Sequence, residues 1–288
     1  MKTVPVEPGT LFIVATPIGN LQDITLRALD VLKSVDLIAA EDTRHSQRLL
    51  AHYGIKKPMQ ALHQHNELTQ RTTLVDRLAM GHHVALISDA GTPLISDPGY
   101  HLVSAVRTAG FRVEAVPGAC AAIAAVSVAG LPTDRFQFIG FLPAKSAARK
   151  AVLRSLSDIY HTLIFYESSH RIQTMLADMT DCFAENCQVV VARELTKCFE
   201  TVLKGTLDQV LCAISADANQ RKGEFVVMTY TPICQQSESL QLNAEQKALL
   251  EELLKLLPVS KVATLYAKVT GIDRKTLYRD ASILKAKR

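Results

Sequence analysis

The 288-residue chain reads as an α/β protein: two α/β/α domains with mixed, mostly parallel sheets, followed by a small C-terminal helical module of helix-turn-helix type. Three observations carry this reading. Short β-branched runs alternate with helical patterns through the first 230 residues, which implies parallel-rich sheets with helices on both faces. A small-residue segment, residues 116–132, opens with the turn Pro117-Gly118 and interrupts that alternation near its middle. Beyond Pro232 the pattern becomes helical only, and the charge turns basic.

In the first half, strands are expected at residues 11–15, 36–40, 84–88 and 113–116, with helices at 25–33, 43–53, 69–80 and 100–109. A further short strand precedes His63. In the second half, strands are expected at 136–140, 162–166, 188–192, 200–203 and 224–229, with helices at 145–155, 169–179 and 207–216. Nine or ten strands suit two medium sheets better than one wide one. The boundary falls in the small-residue segment, which gives domains at residues 1–117 and 118–232. The polar stretch that follows reads as a linker. Asn243 is placed to cap a helix whose stripe of Leu249, Leu250, Leu253, Leu254 and Leu257 stops at Pro258. A second helix at 260–269, a turn containing Gly271 and a third helix at 274–285 complete a module at residues 241–288.

Several classes are excluded early. Hydrophobic residues make up 48% of the chain and charged residues 21%, so a sizeable core is available and wholesale disorder is not expected. Pro5, Glu7 and Pro8 rule out an apolar signal-peptide core. The longest apolar stretch, residues 119–131, contains Ser127 and Gly130 and is too short to span a bilayer. A cytoplasmic protein with no membrane partner is therefore expected. Cysteines 120, 182, 187, 198, 212 and 234 form no CxxC pair and read as small core residues in a reducing compartment. No metal site is expected, because His63 and His65 have no placed third ligand. Neither GxGxxG nor GxxxxGK[ST] occurs, so the usual dinucleotide fold and the P-loop lack their main support.

The formal charge of +4 is unevenly placed. Residues 241–288 hold 10 Lys/Arg and 5 Asp/Glu, whereas residues 1–240 hold 22 and 23. A basic terminal module suits contact with phosphates, although a solvated helical tail would show the same excess.

Chemistry concentrates in the turns that follow strands. Val14-Ala-Thr-Pro-Ile-Gly-Asn20 leaves the first strand, where open α/β sheets bind ligands. Ser88-Asp-Ala-Gly-Thr-Pro-Leu-Ile-Ser-Asp97 is a fixed loop; its Asp89 suits a ligand ammonium, and Asp97 is expected to cap the next helix. Glu41-Asp-Thr-Arg44 and His63-Gln-His-Asn-Glu67 should project from the same edge, gathering Glu41, Asp42, Arg44, His63, Asn66 and Glu67 around one cleft, unless Asp42 or Thr43 simply caps a helix. Glu167-Ser-Ser-His-Arg171, Arg193-Glu194 and Lys222-Gly-Glu224 follow or precede later strands. There Arg171 and Arg193 suit a bidentate grip on phosphate, with surface ion pairs as the alternative.

Taken together, the ThrProIleGlyAsn turn, Ser88-Asp-Ala-Gly-Thr-Pro93, Pro117-Gly118 with its small residues, Gly140-Phe-Leu-Pro143 and Lys222-Gly-Glu-Phe-Val-Val227 resemble the tetrapyrrole-methylase-like family of S-adenosylmethionine-dependent methyltransferases. The Glu41, His65, Glu167 and Ala192 clusters resemble most the members that methylate the ribose 2′-hydroxyl of a cytidine in 16S ribosomal RNA of the small subunit. The resemblance implies a donor held between two α/β/α domains, and a homodimer. It implies donor contacts from Pro17, Asp89, Ala90, Gly91, Thr92, Cys120, Ala121, Tyr166 and Glu224. The candidate bases for the hydroxyl are Glu41, Asp42, His63 and Glu67. RNA contacts are expected from Arg44, Asn66, Arg171 and Arg193, and from Arg274, Lys275 and Arg279 of the tail. Carbon methylation of a tetrapyrrole or another small molecule, and a nucleic-acid-binding regulator that senses a ligand, are the competing expectations.

Overall fold

A computed structural model describes residues 7–232, 244–272, 274, 277, 278, 281, 282 and 284, without the side chains of residues 244, 245 and 247. Met1–Pro232 forms one compact unit and Ile233–Arg288 a second.

The first half of the large unit is an open parallel sheet. Its strands are β1 (Thr10–Val14), β2 (Leu37–Ala40), β3 (Met59–Ala61), β4 (Val84–Ile87) and β5 (Arg112–Val116), in the order β3-β2-β4-β1-β5. Every neighbouring pair is parallel. β2 and β4 are buried at every position, which is why they read as unbroken apolar runs rather than alternating ones. Helices α1 (Leu26–Ser34) and α2 (Thr43–His52) pack Leu32 and Leu50 with Ile38 and Ile87 on one face. α3 (Glu67–Ala79) and α4 (Tyr100–Thr108) pack Leu74, Leu78 and Leu102 with Leu11 and Leu86 on the other.

The second half contains α5 (Ala121–Ala129), β6 (Phe136–Phe141), α6 (Ser146–Ser155), β7 (Thr162–Ser168) and α7 (Ile172–Thr180). It continues with β8 (Gln188–Arg193), β9 (Thr201–Thr206), α8 (Leu207–Ala216) and β10 (Glu224–Tyr230). The sheet order is β6-β7-β10-β8-β9. Only β6 and β7 are parallel; β10 runs antiparallel to both β7 and β8, and β8 to β9. This departs from the parallel-rich expectation for the second half. The connection from β8 to β9, residues 194–200, is too short for a parallel crossover, which needs a dozen or more residues. The last strand then inserts between β7 and β8. Alternation now shows: Phe165, Val189, Val191 and Val227 meet α6, α7 and α8, whereas Ile164, Val190, Val226 and Met228 meet α5.

In the small unit, α9 (Ala244–Leu256) and α10 (Val259–Thr270) pack Leu250, Leu254, Val262 and Tyr266 with Leu277 and Ala281. Leu249, expected in the stripe, is 53% exposed. Gly271 ends α10 at φ +73°. The described residues from Arg274 to Leu284 are helical, whereas Asn243, Lys275 and Arg279 lie outside the described residues. The cysteines correct a further expectation: Cys187 is buried, but Cys198 and Cys212 are exposed. Cys234 lies outside the described residues. No helix among the described residues is long and apolar enough to cross a membrane.

Candidate active site

β1 and β4 are neighbours, so the loops that leave their carboxyl ends lie side by side. Backbone hydrogen bonds lock them together: Thr16 N–H donates to Gly91 O (2.9 Å) and Gly91 N–H to Thr16 O (3.1 Å). Gly91 has φ +82°, and a Cβ there would come within 3.2 Å of Ile18, so this position favours glycine on two counts. The Thr92 hydroxyl donates to Ala119 O (3.0 Å), which ties the β4 loop to the turn after β5.

Across from these loops stand the first residues of α5, the carboxyl end of β7 and the start of β10. The Tyr166 hydroxyl accepts from Ala122 N–H (3.0 Å), satisfying a donor that the N-terminus of α5 leaves free. Phe138 and Phe141 stack edge-on against the Tyr166 ring, at 4.9 and 5.7 Å between centroids. The edges enclose a cavity of about 390 Å³, which suits a small organic ligand. Among the described residues, the four non-glycine residues with positive φ lie in two loops that supply its wall: Leu94 and Ser96 in the β4 loop, of which Ser96 lines the cavity, and Glu194 and Thr196 after β8, on either side of the lining residue Leu195. Strained backbone of this kind persists where the surroundings hold it and gathers at functional sites.

Charge in the cavity is acidic. Glu41, Asp89 and Asp97 all line it. Burial, and then the Asp89 charge, raise the Glu41 carboxyl above its ordinary value. Burial pushes Asp97 up to about 6, with Glu41 and Asp89 adding to the effect. Asp89 is fixed by accepting from Asp42 N–H (3.1 Å).

Of the expected donor contacts, Asp89, Ala90, Gly91 and Thr92 line the cavity on one side, and Cys120, Ala121, Tyr166 and Glu224 on the other. Pro17 is buried beside the lining residue Ile18 and is not itself in the wall. The expected bases scatter. Glu41 is in the wall, and His63 is close enough to act on its charge. His63 Nδ1 is buried with no hydrogen-bond partner. Asp42 accepts from Arg44 N–H (2.8 Å) and caps α2. Glu67 is buried on α3, and its carboxylate accepts from Leu102 N–H (3.0 Å) in the first turn of α4. That contact also corrects the expectation for Asp97. Helix α4 starts at Tyr100 behind Gly99, so Asp97 sits two residues too early to cap it and faces the cavity instead.

The expected RNA contacts divide similarly. Arg44 projects from α2 with its side chain 90% exposed. The Asn66 side chain accepts from His63 N–H (2.8 Å) and donates to Ala61 O (3.0 Å), bracing its own loop. Arg171 grips Glu167 through Nε (2.8 Å) and donates to Leu142 O (3.1 Å). Arg193 is buried and donates to Lys222 O (2.7 Å) and Phe199 O (2.9 Å). Neither arginine presents a free fork to a phosphate. Arg274 is exposed in the small unit. The wall also holds residues that the sequence reading did not assign to it, Asp97, Ile18, Ile95, Phe141, Glu167 and Leu195 among them. Large apolar side chains on turns and strand ends are the one signal of the apolar ones; Phe141 and Ile95 are exposed.

Fold and cavity together define the class: an α/β enzyme with a parallel and a mixed sheet, sharing one acidic ligand cavity between the strand ends. Solved structures of the same fold include diphthine synthase (TM-score 0.61, 15% identity, covering 77% of this chain and 90% of that one). The methyltransferase CobJ is another (TM-score 0.58, 19% identity, 77% and 94%). Residues 10–211 match the family described as Tetrapyrrole (Corrin/Porphyrin) Methylases, and the chain belongs to that family of methyltransferases. Residues 241–285 match the RsmI C-terminal HTH domain. The chain is similar to Ribosomal RNA small subunit methyltransferase I of Xylella fastidiosa, at 53% identity over 94% of this chain and 98% of that one. It is similar also to the protein of that name from Pseudomonas aeruginosa, at 51% identity over 95% and 96%.

Proposed function

We propose that this methyltransferase uses S-adenosylmethionine to methylate the ribose 2′-hydroxyl of a cytidine in 16S ribosomal RNA. The observation that carries the reading is the acidic cavity, in a chain about half identical over nearly its whole length to enzymes named for small-subunit ribosomal RNA. The cavity residues fit such a donor. Three carboxylates crowd one another there, and a cationic ligand relieves their repulsion. Asp89 would hold the ammonium, and the backbone of Ala90, Gly91 and Thr92, with Cys120 and Ala121 opposite, would hold the flat base beside small side chains. Tyr166 and Glu224 would close the far wall. When bound, the donor supplies an electrophilic methyl carbon on a sulfonium.

A ribose hydroxyl is a weak nucleophile, so the chain must orient it and take its proton. Glu41 is assigned this step, because its carboxyl faces the cavity and already holds a proton more tightly than an exposed one. His63, behind it, steadies the ionised form. Arg44 and the basic module, with Arg274, Lys275 and Arg279, bind flanking phosphates. The reading includes a homodimer in the cytoplasm, which sedimentation and cell fractionation test.

The test is transfer of labelled methyl to small-subunit RNA. Glu41→Gln is expected to lower kcat at least about 100-fold, far more than it weakens donor binding read by calorimetry. Label appearing in a porphyrinoid and not in RNA would overturn the substrate; unchanged turnover in Glu41→Gln would overturn the base.

A further inference from the structure

Residues 43–57 carry Arg44, Arg48, Lys56 and Lys57 and not one acidic residue, although residues 1–240 as a whole carry slightly more acid than base. Most of this run is helix α2. Its inward side is set by Ser46 and Leu50, both buried. At 3.6 residues per turn, Arg44, Arg48 and His52 fall within an arc of about 80°, diametrically opposite that buried pair. Arg44, Arg48 and His52 are exposed, as are His45 and Lys56. Among the described residues, Arg48, Lys56 and Lys57 have no ion-pair partner, and Arg44 has only a long contact with Asp42 (3.5 Å).

The position of the helix gives this face a use. Its N-terminus begins two residues after Glu41 of the cavity wall, and Asp42 N–H is bound to Asp89, so α2 rises from the mouth of the site. The helix dipole adds positive potential at that same end. Arg44, Arg48 and His52 span about 12 Å along the axis, the reach of roughly two backbone phosphates of an extended strand. At the other end, the Tyr53 hydroxyl donates to Leu21 O, which fastens the C-terminus of α2 to the turn after β1.

We propose that the outward face of α2, continued by Lys56 and Lys57, is an RNA-docking surface that holds the phosphates next to the modified nucleotide. The inference rests on the RNA reading above and extends it. The basic tail is then not the sole anchor; the catalytic unit orients the strand at its own cavity mouth.

The experiment uses the full chain and a fluorescent single-stranded ribo-oligonucleotide, with affinity measured by anisotropy across a salt series. Arg48→Glu combined with Lys56→Glu is expected to weaken binding at least about tenfold at low salt. It should lower the salt slope by about 1.4, the effect of two lost phosphate contacts on a single strand. Donor affinity by calorimetry and thermal midpoint should stay unchanged, which shows that the fold survives. The milder Arg48→Gln with Lys56→Gln should give a smaller loss of the same sign. If the native chain binds RNA while both double variants keep its affinity and slope, the surface is wrong and the RNA reading stands. A change in sedimentation with the slope unaltered would make the face an interface between copies and also overturn the proposal. If the native chain does not bind RNA, the function proposed above fails first.

Discussion

Asp97→Asn is expected to make the ligand-free protein more stable and the donor complex weaker. The Asp97 carboxyl is held at about 6, against an ordinary value of 3.8, first by burial and then by Glu41 and Asp89. In the unfolded chain it ionises at its ordinary value. Between pH 3.8 and about 6 the folded state therefore holds more protons than the unfolded one, and stability falls as pH rises through that window. The penalty stands in full above about pH 6 and is absent below 3.8. It amounts to at most ~3 kcal/mol, and to about 1–2 kcal/mol once solvent screening of a half-buried group is allowed for. Removing the charge should return that amount at pH 8 and nothing at pH 3.5. Urea unfolding at the two pH values checks it; equal shifts at both would show that Asp97 is not the strained group.

The same substitution should reverse its sign in binding. A cationic donor favours the ionised carboxylate, so the native protein should release a proton on binding and lose affinity as pH drops below about 6, by at most about tenfold per unit. In Asp97→Asn that pH dependence should flatten. Calorimetry in two buffers of different ionisation heat reads the proton directly. A group that weakens the fold and strengthens the complex is what a stability–function trade-off predicts for a binding site.

How far the site was legible follows from these residues. The parallel half of the fold was readable because β2 and β4 are buried on both faces and punctuated by turns. The mixed half was not, since nothing local in residues 224–230 says that this strand will insert between two earlier ones; strand order is a long-range outcome. At the site, glycine-rich turns announced themselves through backbone requirements. The acids did not separate so easily. Glu67 and Asp97 look alike in sequence, each near the start of a helix. The sheet exchanges their expected jobs: Glu67 on α3 reaches across to cap α4, and Asp97, relieved of capping, turns into the cavity. Arg171 and Arg193 were similarly ambiguous, because a guanidinium suits a phosphate and a cluster of carbonyls equally well.

Asp178→Ala should cost the fold about 3–5 kcal/mol, the largest single effect on stability anticipated here. Arg149 and Asp178 form a pair with side chains only 3% and 9% exposed, Nε to Oδ2 at 2.6 Å. Burial alone would raise the Asp178 carboxyl. Hydrogen bonds from Ser146 and Arg149, and then the Arg149 charge, hold it below its ordinary value, so acid weakens the pair only beneath the usual carboxylate range. Truncating the aspartate leaves Arg149 charged and buried. Its remaining partners are the carbonyls of Ala144 (3.2 Å) and Pro143 (3.4 Å), which belong to the segment that follows Phe141 at the cavity. Arg171 holds the same segment through Leu142 O (3.1 Å), so two arginines pin one loop from beneath. Loss of Asp178 should thus lower stability and loosen Phe141 against Tyr166. Replacing both partners, as Arg149→Met with Asp178→Leu, removes the orphan charge and should restore most of the stability. It should not restore the loop, because the carbonyl contacts go with the guanidinium. Urea unfolding separates the first effect from the second, which donor affinity reports. A single variant that unfolds within about 1 kcal/mol of the native protein would mean that the buried pair does not hold the fold, and unchanged donor affinity would mean that it does not fasten the loop.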